Sequence, residues 1–293
     1  MTFNLNTPIE RVKLPLYNQY GIEVFIKRDD LIHPFISGNK WRKLKYNMLF
    51  MQQNGFRKLA TFGGAFSNHL IATACAGAIF GYKTLGIVRG NELSQQSNHI
   101  LRLCYEYGME LRFVSRSEYA DKEAIANQLV EEGYFVVPEG GDNDLGIQGC
   151  EEILPETTME FNHVFVPVGT ATTLIGVVNS SSTHCIVHGI AALSEADYLA
   201  QKIKSKTNRN NWILHTRFSR GGFGKFDDEL LRSNLAFTRQ TGVLLDPVYT
   251  GKMIWASNHL IKEKSIKRGE KVLLIHTGGL TGLLSDKWLK MNL

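Results

Sequence analysis

Five short clusters hold the side chains that can do chemistry in this chain. The first is Ser37-Gly38-Asn39-Lys40, at the end of a loop and the start of a helix. Burial and nearby positive charge lower an amine's pKa, and a lysine so placed becomes a nucleophile able to form a Schiff base with an aldehyde cofactor. The competing reading is a surface lysine. The second is Gly169-Thr170-Ala171-Thr172-Thr173, whose first-turn amides and hydroxyls suit an anion. It is neither a Walker loop nor GxGxxG, and helix capping uses the same residue types. The third is Ser67-Asn68-His69 after Gly63-Gly64, where polar groups at a helix start suit a carboxylate or a phenolic oxygen, or simply cap the helix. In the fourth, Asp246-Pro247-Val248-Tyr249-Thr250-Gly251-Lys252, Tyr249 is a candidate proton donor or acceptor, or else a buried tyrosine with a satisfied hydroxyl. In the fifth, His276-Thr277-Gly278-Gly279, the Thr277 hydroxyl can bond a heteroaromatic nitrogen, or the segment is a plain turn.

The elements that must position these clusters are legible as alternating patterns. Strand-like runs cover 24–27, 59–62, 84–88, 111–114, 135–138, 163–168, 184–193, 211–216 and 271–276. Helical spacing covers 41–53, 69–80, 97–107, 121–132, the segment after Thr173, 226–242 and 252–262. Strand–loop–helix alternation predicts parallel sheets with helices on both faces. In such folds ligands bind at the carboxyl ends of the strands. The loops 63–69, 140–146, 169–173 and 277–279 all follow strands, so they are expected to converge on one site.

Composition narrows the function classes. With 43% hydrophobic and 21% charged residues over 293 positions, the chain reads as a globular protein of one large or two medium domains. Glycine is raised, 27 residues or about 9% against an average of roughly 7%, and it clusters in pairs that suggest backbone close to a ligand. The net charge of +5 is mild. Basic residues concentrate at 40–45 and 202–209 without aromatic interleaving, which argues for solvated faces and against nucleic acid. Cys75, Cys104, Cys150 and Cys185 form no CxxC pair, so no zinc ribbon or redox motif is expected. His184 and His188 have helical metal spacing, but their surroundings read as a strand. Four strand residues span roughly 13 Å, too far for one metal, and core histidines are expected instead. No metal site is expected. The start of the chain does not read as a signal peptide, and 70–82 is too short for a membrane span. A reducing, cytoplasmic setting without membrane contact is the expectation.

Taken in order, Gly38-Asn39-Lys40-Trp41-Arg42-Lys43-Leu44, Ser67-Asn68-His69, Pro138-Glu139-Gly140-Gly141, the loop 169–173, Asp246–Lys252 and His276–Gly279 resemble one family. It is the D-cysteine desulfhydrase / 1-aminocyclopropane-1-carboxylate deaminase group of fold-type II pyridoxal-phosphate enzymes, and the resemblance runs from Val24 to Gly282. It implies a two-domain α/β fold, each domain a mainly parallel twisted sheet flanked by helices. A smaller domain at 43–145 would be inserted into a larger one built from 1–42 and 146–293. It also implies pyridoxal phosphate as cofactor, a small amino acid as substrate, and a homodimer. Lys40 would hold the cofactor and then move the substrate's Cα proton. Asn68 would bond the phenolic oxygen, Thr170, Ala171, Thr172 and Thr173 the phosphate, and Thr277 the pyridine nitrogen. Ser67 would take the substrate carboxylate, with Asn68, His69, Phe223 and Tyr249 lining the substrate side and Tyr249 an acid/base candidate.

The family's deaminases carry glutamate where this chain has Thr250 and leucine where it has Thr277. The resemblance therefore favours the desulfhydrase, whose β-elimination gives pyruvate, sulfide and ammonia. The alternatives are the deaminase, which opens the cyclopropane to 2-oxobutyrate, or a cofactor-binding homologue with little or no turnover. Three departures stand out: Phe223 where the family has tyrosine, Ala171 where glycine is usual, and a short stretch between Thr173 and Phe218.

Overall fold

The computed structural model describes residues 3–154, 160–194, 196–280 and 283, so Gly282 and the last ten positions of the chain lie outside it. In chain order the elements are β1 (Ile9–Val12), α1 (Pro15–Tyr20), β2 (Glu23–Lys27), α2 (Asn39–Gln53), β3 (Lys58–Gly63), α3 (Asn68–Phe80), β4 (Lys83–Arg89), α4 (His99–Glu106), β5 (Glu110–Val114), α5 (Arg116–Ala120), α6 (Lys122–Glu131) and β6 (Phe135–Val137). Then follow α7 (Asp144–Glu151), β7 (His163–Val168), α8 (Thr172–Ser180), β8 (Ile186–Ala191), α9 (Asp197–Lys206), β9 (Trp212–His215), α10 (Asp228–Thr241), α11 (Thr250–Lys262) and β10 (Lys271–Ile275).

The strands form two sheets. One has the order β1-β2-β10-β7-β8-β9, parallel except for the antiparallel edge pair β1–β2; the other is the all-parallel β5-β4-β3-β6. Strands covered on both faces need apolar side chains on both, and the runs at 59–62, 164–168 and 272–275 supply them. Phe165, Ile190 and Leu274 pack on one face of the large sheet with α1, α10 and α11. Val164, Val166 and Leu273 pack on the other with α7, α8 and α9. Side-chain caps start the helices where the sequence offers them: Ser67 on α3, Asn98 on α4, Asn143 on α7 and Asp227 on α10.

Of two basic runs expected to be solvated faces, 40–45 is not one, and 202–209 is one except at Lys202, since Lys204 and Lys206 are exposed. In 40–45, Arg42 and Lys43 are 2% and 3% exposed. The Arg42 guanidinium grips Asp29 through two hydrogen bonds of 3.0 and 3.1 Å and also reaches the Leu5 and Glu152 carbonyls. In 202–209, Lys202 leaves the surface of α9 to pair with Asp142 and to bond the Thr170 carbonyl at 2.6 Å. The counter-ions lie far away in sequence, which is why neither run betrays itself.

His184 is exposed and His188 buried, so the two do not meet. His188 instead sits in a hydrogen-bonded row across three strands. His163 Nε2 meets Glu270 at 3.0 Å, His163 Nδ1 meets His188 Nε2 at 2.9 Å, and His188 Nδ1 meets His215 Nε2 at 2.9 Å. Phe165 stacks on His188 with centroids 4.5 Å apart. Burial, then the neighbouring His215 and His163, hold the His188 pKa down to about 3, and burial holds His215 down to about 4. Neutral rings that donate in one direction along the row satisfy every shared nitrogen. Among the described residues no helix is long and apolar enough to cross a membrane, and no three metal-ligating side chains converge.

Candidate active site

The strand-end loops do converge. The carboxyl ends of β7 and β10, the start of α2, the start of α3 and the loop after β6 surround one cavity of about 550 Å³ including its mouth. Lys40, Asn68, Thr170, Ala171, Thr173, Tyr249 and Thr277 line it, together with Asn39, Lys43, Gly140, Gly169, Gly278 and Gly279.

Lys40 is placed by backbone as much as by its helix. The Asn39 amide donates to the Thr277 carbonyl at 3.1 Å, which pins the first turn of α2 to the loop after β10. Gly38, at φ +55, makes that approach feasible: a Cβ there would stand 1.9 Å from the Thr277 carbonyl oxygen. The Lys40 Nζ donates to Asn39 Oδ1 at 3.1 Å, and Asn39 Nδ2 donates to Thr173 Oγ1 at 2.9 Å. Burial first, and the Lys43 charge second, push the Lys40 pKa down from 10.5 to about 7. At neutral pH a large share of this amine is therefore unprotonated and nucleophilic.

Behind it lies an anion cradle. Ala171 caps α8 with φ +65, a left-handed backbone that a residue with Cβ adopts at a penalty, so glycine's usual place here is met by a strained alanine. The turn exposes the first amides of α8. Lys43 Nζ approaches from the α2 side, bonded to the Gly140 carbonyl at 2.8 Å and to Thr170 Oγ1 at 3.4 Å. Thr170 and Thr173 face the cavity. Thr172 does not: it is buried, and its hydroxyl donates to Asp142 at 2.7 Å. Lys43 was not among the expected site residues. Its signal was present, since three positions after Lys40 on a helix means the same face.

The other expected residues divide. The Ser67 hydroxyl accepts from the His69 and Leu70 amides at 3.2 Å, so it is a helix cap that keeps its own proton free to donate. Asn68 lines the cavity and His69 does not. His69 is 2% exposed, sealed beside Lys43 and Gly141 with neither ring nitrogen hydrogen-bonded, and burial with the Lys40 and Lys43 charges holds its pKa well below the usual imidazole range. Tyr249 lies against Gly169; burial, then the Asp246 and Glu139 charges, raise its pKa, so the phenol keeps its proton. Phe223 is 55% exposed outside the cavity, its ring edge-on to Tyr249 with centroids 5.9 Å apart. Thr277 is 5% exposed and faces inward, its loop held by His276: Nε2 meets the Leu244 carbonyl at 2.7 Å, and Nδ1 accepts from the Gly278 amide at 3.1 Å.

An amine with a depressed pKa, a cradle of amides, hydroxyls and one cation, and a hydroxyl beside an amide side chain form one donor set. It suits an aldehyde that also carries a phosphate, a phenolic oxygen and a ring nitrogen.

Comparison with known proteins agrees. The chain matches the family described as pyridoxal-phosphate dependent enzyme over residues 2–278. It is 32% identical to the mitochondrial bifunctional D-cysteine desulfhydrase/1-aminocyclopropane-1-carboxylate deaminase of Arabidopsis thaliana, with 99% of this chain and 82% of that protein covered. A crystal structure of an ACC deaminase homologue superposes with a TM-score of 0.83 at 29% identity, covering 97% of this chain and 93% of that one. O-ureido-L-serine synthase shares the fold, with a TM-score of 0.74 at 16% identity and coverage of 100% and 97%.

Proposed function

The chain belongs to the pyridoxal-phosphate dependent enzymes, in their D-cysteine desulfhydrase / 1-aminocyclopropane-1-carboxylate deaminase group and with their fold-type II architecture, and from that premise we propose a lyase that eliminates a β-substituent from a small amino acid. D-cysteine is the favoured substrate, giving pyruvate, sulfide and ammonia.

The observation that carries this reading is Thr277. It lines the cavity, and among the described residues no aspartate or glutamate does. A neutral hydroxyl does not hold a proton on a pyridine nitrogen as a carboxylate does. Elimination tolerates that, because the departing thiolate carries the negative charge away.

When bound, pyridoxal phosphate supplies an electron sink for charge left at the substrate Cα. The rest falls to this chain's residues. Lys40 would hold the cofactor and, as a free amine, take the Cα proton. Asn68 would bond the phenolic oxygen. Thr170, Thr173, the amides at Ala171 and Thr172, and Lys43 would hold the phosphate. The Ser67 hydroxyl, whose proton the α3 cap leaves free to donate, would orient the substrate carboxylate. Tyr249, protonated, would donate to the leaving group. Phe223 and His69 would act by excluding water, one at the mouth and one behind Asn68.

A second reading is favoured by the ACC deaminase homologue among the solved structures: ring opening of 1-aminocyclopropane-1-carboxylate to 2-oxobutyrate. The test is the cofactor-loaded chain offered D-cysteine, L-cysteine and the cyclopropane acid, with pyruvate, sulfide and 2-oxobutyrate measured. Pyruvate and sulfide from D-cysteine are expected. Product from the cyclopropane acid alone sinks the elimination reading, and no product from any of them favours a binding homologue. We further propose the division into 1–42 plus 146–293 and 43–145, supported by a four-stranded sheet whose strands all fall within 58–137. A cytoplasmic homodimer rests on the sequence reading and the resemblance.

A further inference from the structure

The segment 219–224 has no regular element of its own. Arg220, Gly221, Gly222 and Gly224 all take left-handed backbone, at φ +52, +87, +107 and +67, and only tight turns such as the Gly222 amide to the Ser219 carbonyl at 3.1 Å bond it internally. Yet this strap lies along α11 at three successive positions. Tyr249, at the helix start, meets the Phe223 ring. Trp255, two turns on, lies under the Arg220 guanidinium at 4.4 Å. Between them is Lys252, 1% exposed, whose Nζ donates to the Gly222 carbonyl at 2.8 Å and to the Ala192 carbonyl at 3.3 Å. Residues three apart share a helix face. Strap and helix are therefore in antiparallel register, 223 on 249, 222 on 252 and 220 on 255.

We propose that Lys252 is a positioning residue: it anchors the strap 219–224 and so sets Phe223 against Tyr249 at the mouth of the cavity, where the amino-acid side chain is received. The three contacts are unequal. Phe223 is mostly in solvent, and Arg220 pairs with Asp227 and Glu229, whose side chains are 49% and 61% exposed, so those ion pairs hold little. The Lys252 contacts are buried, where a hydrogen bond is both stronger and costlier to lose. They also reach the site. The Ala192 amide donates to the Val168 carbonyl at 2.9 Å, and Val168 lines the cavity, so Lys252 ties the strap to the cavity wall through one intervening residue.

The consequence for substrate rests on the activity proposed above; the consequence for the strap does not. Hydrogen exchange of the 219–225 amides in the cofactor-loaded Lys252→Met variant is the first readout. We expect exchange about tenfold faster than in the parent chain, an unchanged cofactor absorbance per chain, and a KM for the amino acid raised about tenfold while kcat moves far less. Lys252→Arg should recover part of both losses. Gly222→Ala attacks the strap with Lys252 in place, since a Cβ at φ +107 would stand 3.0 Å from Ser194 Oγ; it should also raise exchange and KM, and it decides the question if Lys252→Met does not fold. Parental exchange and KM in these variants would overturn the proposal. So would cofactor loss in step with kcat, the mark of a merely structural lysine. If the parent turns over no amino acid, the activity reading fails, and exchange alone still decides the strap.

Discussion

Replacing Lys43 with glutamine should make Lys40 a poorer nucleophile at neutral pH without touching Lys40 itself. With a pKa of about 7, roughly three quarters of Lys40 is free amine at pH 7.5, against about one part in a thousand at the ordinary lysine value. Burial is the first cause and survives the substitution; the Lys43 charge is the second and is removed. A full unit charge three positions along a helix, at the general neighbour spacing of roughly 5–6 Å and an effective dielectric near 20, is worth at most about 3 kcal/mol or about 2 pKa units. Burial lowers the Lys43 pKa too, so the full-charge figure is an upper bound. A rise of about one unit in Lys40 follows, and the free-amine fraction at pH 7.5 falls about threefold. The assay is the rate at which an amine-selective acylating reagent labels Lys40 in cofactor-free protein across pH, read by mass spectrometry of the Lys40 peptide. The parent midpoint should lie near 7 and the variant midpoint higher. A parent midpoint near 10, or a variant midpoint equal to the parent's, refutes the reasoning. The linkage has a definite sign. The folded chain binds fewer protons than the unfolded one between pH 7 and 10.5, so this group's share of cofactor-free stability is complete above 10.5 and is lost as pH falls toward 7.

Two further outcomes follow from strained or buried groups. Ala171→Gly should relieve a left-handed alanine worth about 1–2 kcal/mol while adding about 0.4–1 kcal/mol of unfolded-chain entropy, a net stabilisation of between zero and about 1.5 kcal/mol in urea unfolding with cofactor content intact; clear destabilisation would contradict the strain. The histidine row predicts acid lability: His188 takes a proton near 6.5 when unfolded and only near 3 when folded, so stability is complete above 6.5 and falls as pH drops toward 3. At pH 5 His188 alone should account for about 2 kcal/mol, with the less buried His215 adding a smaller part. His188→Leu should be less stable than the parent at pH 7.5, because it strands His163 Nδ1 and His215 Nε2, and should lose less on going to pH 5. Equal urea midpoints for the parent chain at the two pH values would rule the idea out.

The strands were the most legible part of the fold, because burial on both faces leaves continuous apolar runs such as Val164–Val168 and Val272–Ile275. Helices α7 and α9 were not. In α7, Gly146 and Gly149 weaken the helical signal, and Gly149 is needed for another reason: a Cβ there would stand 1.8 Å from the Arg42 carbonyl oxygen where α7 crosses α2. In α9, Leu199 and Ile203 are the only buried positions, too thin a stripe to read among charges. The stretch between Thr173 and Phe218 is short, but α8, β8, α9 and β9 all fit within it. The site clusters were legible because strand-end loops carry polar and glycine residues in compact strings. The histidine row was not, because its links span 25 and 27 residues and depend on sheet register.

The misread basic run at 40–45 says most about how this site is built. On α2 the four cations have different destinations, although Lys40 and Lys43 share the face turned to the cavity. Lys40 faces the cavity, Arg42 turns back to Asp29 beside β2, Lys43 crosses to the Gly140 carbonyl and Thr170, and Lys45 pairs with Glu152 at the end of α7. Only Arg42 and Lys45 meet carboxylates directly. An isolated cation would be expensive to bury, and removing the partner of a buried pair leaves exactly that. Asp29 therefore matters to Lys40 although it does not line the cavity: shared between the buried Arg42 and Lys27, it gives Arg42 a partner and lets the first turns of α2 be buried. Once buried, Lys43 adds a positive charge beside a lysine already partly withdrawn from water, and the two effects reinforce each other in lowering the Lys40 pKa. A surface helix with the same four cations would leave that lysine charged and inert. The reactivity of Lys40 is thus a property of where α2 is buried: Trp41, Leu44, Met48 and Met51 bury its apolar side, and Asp29 gives Arg42 a partner there.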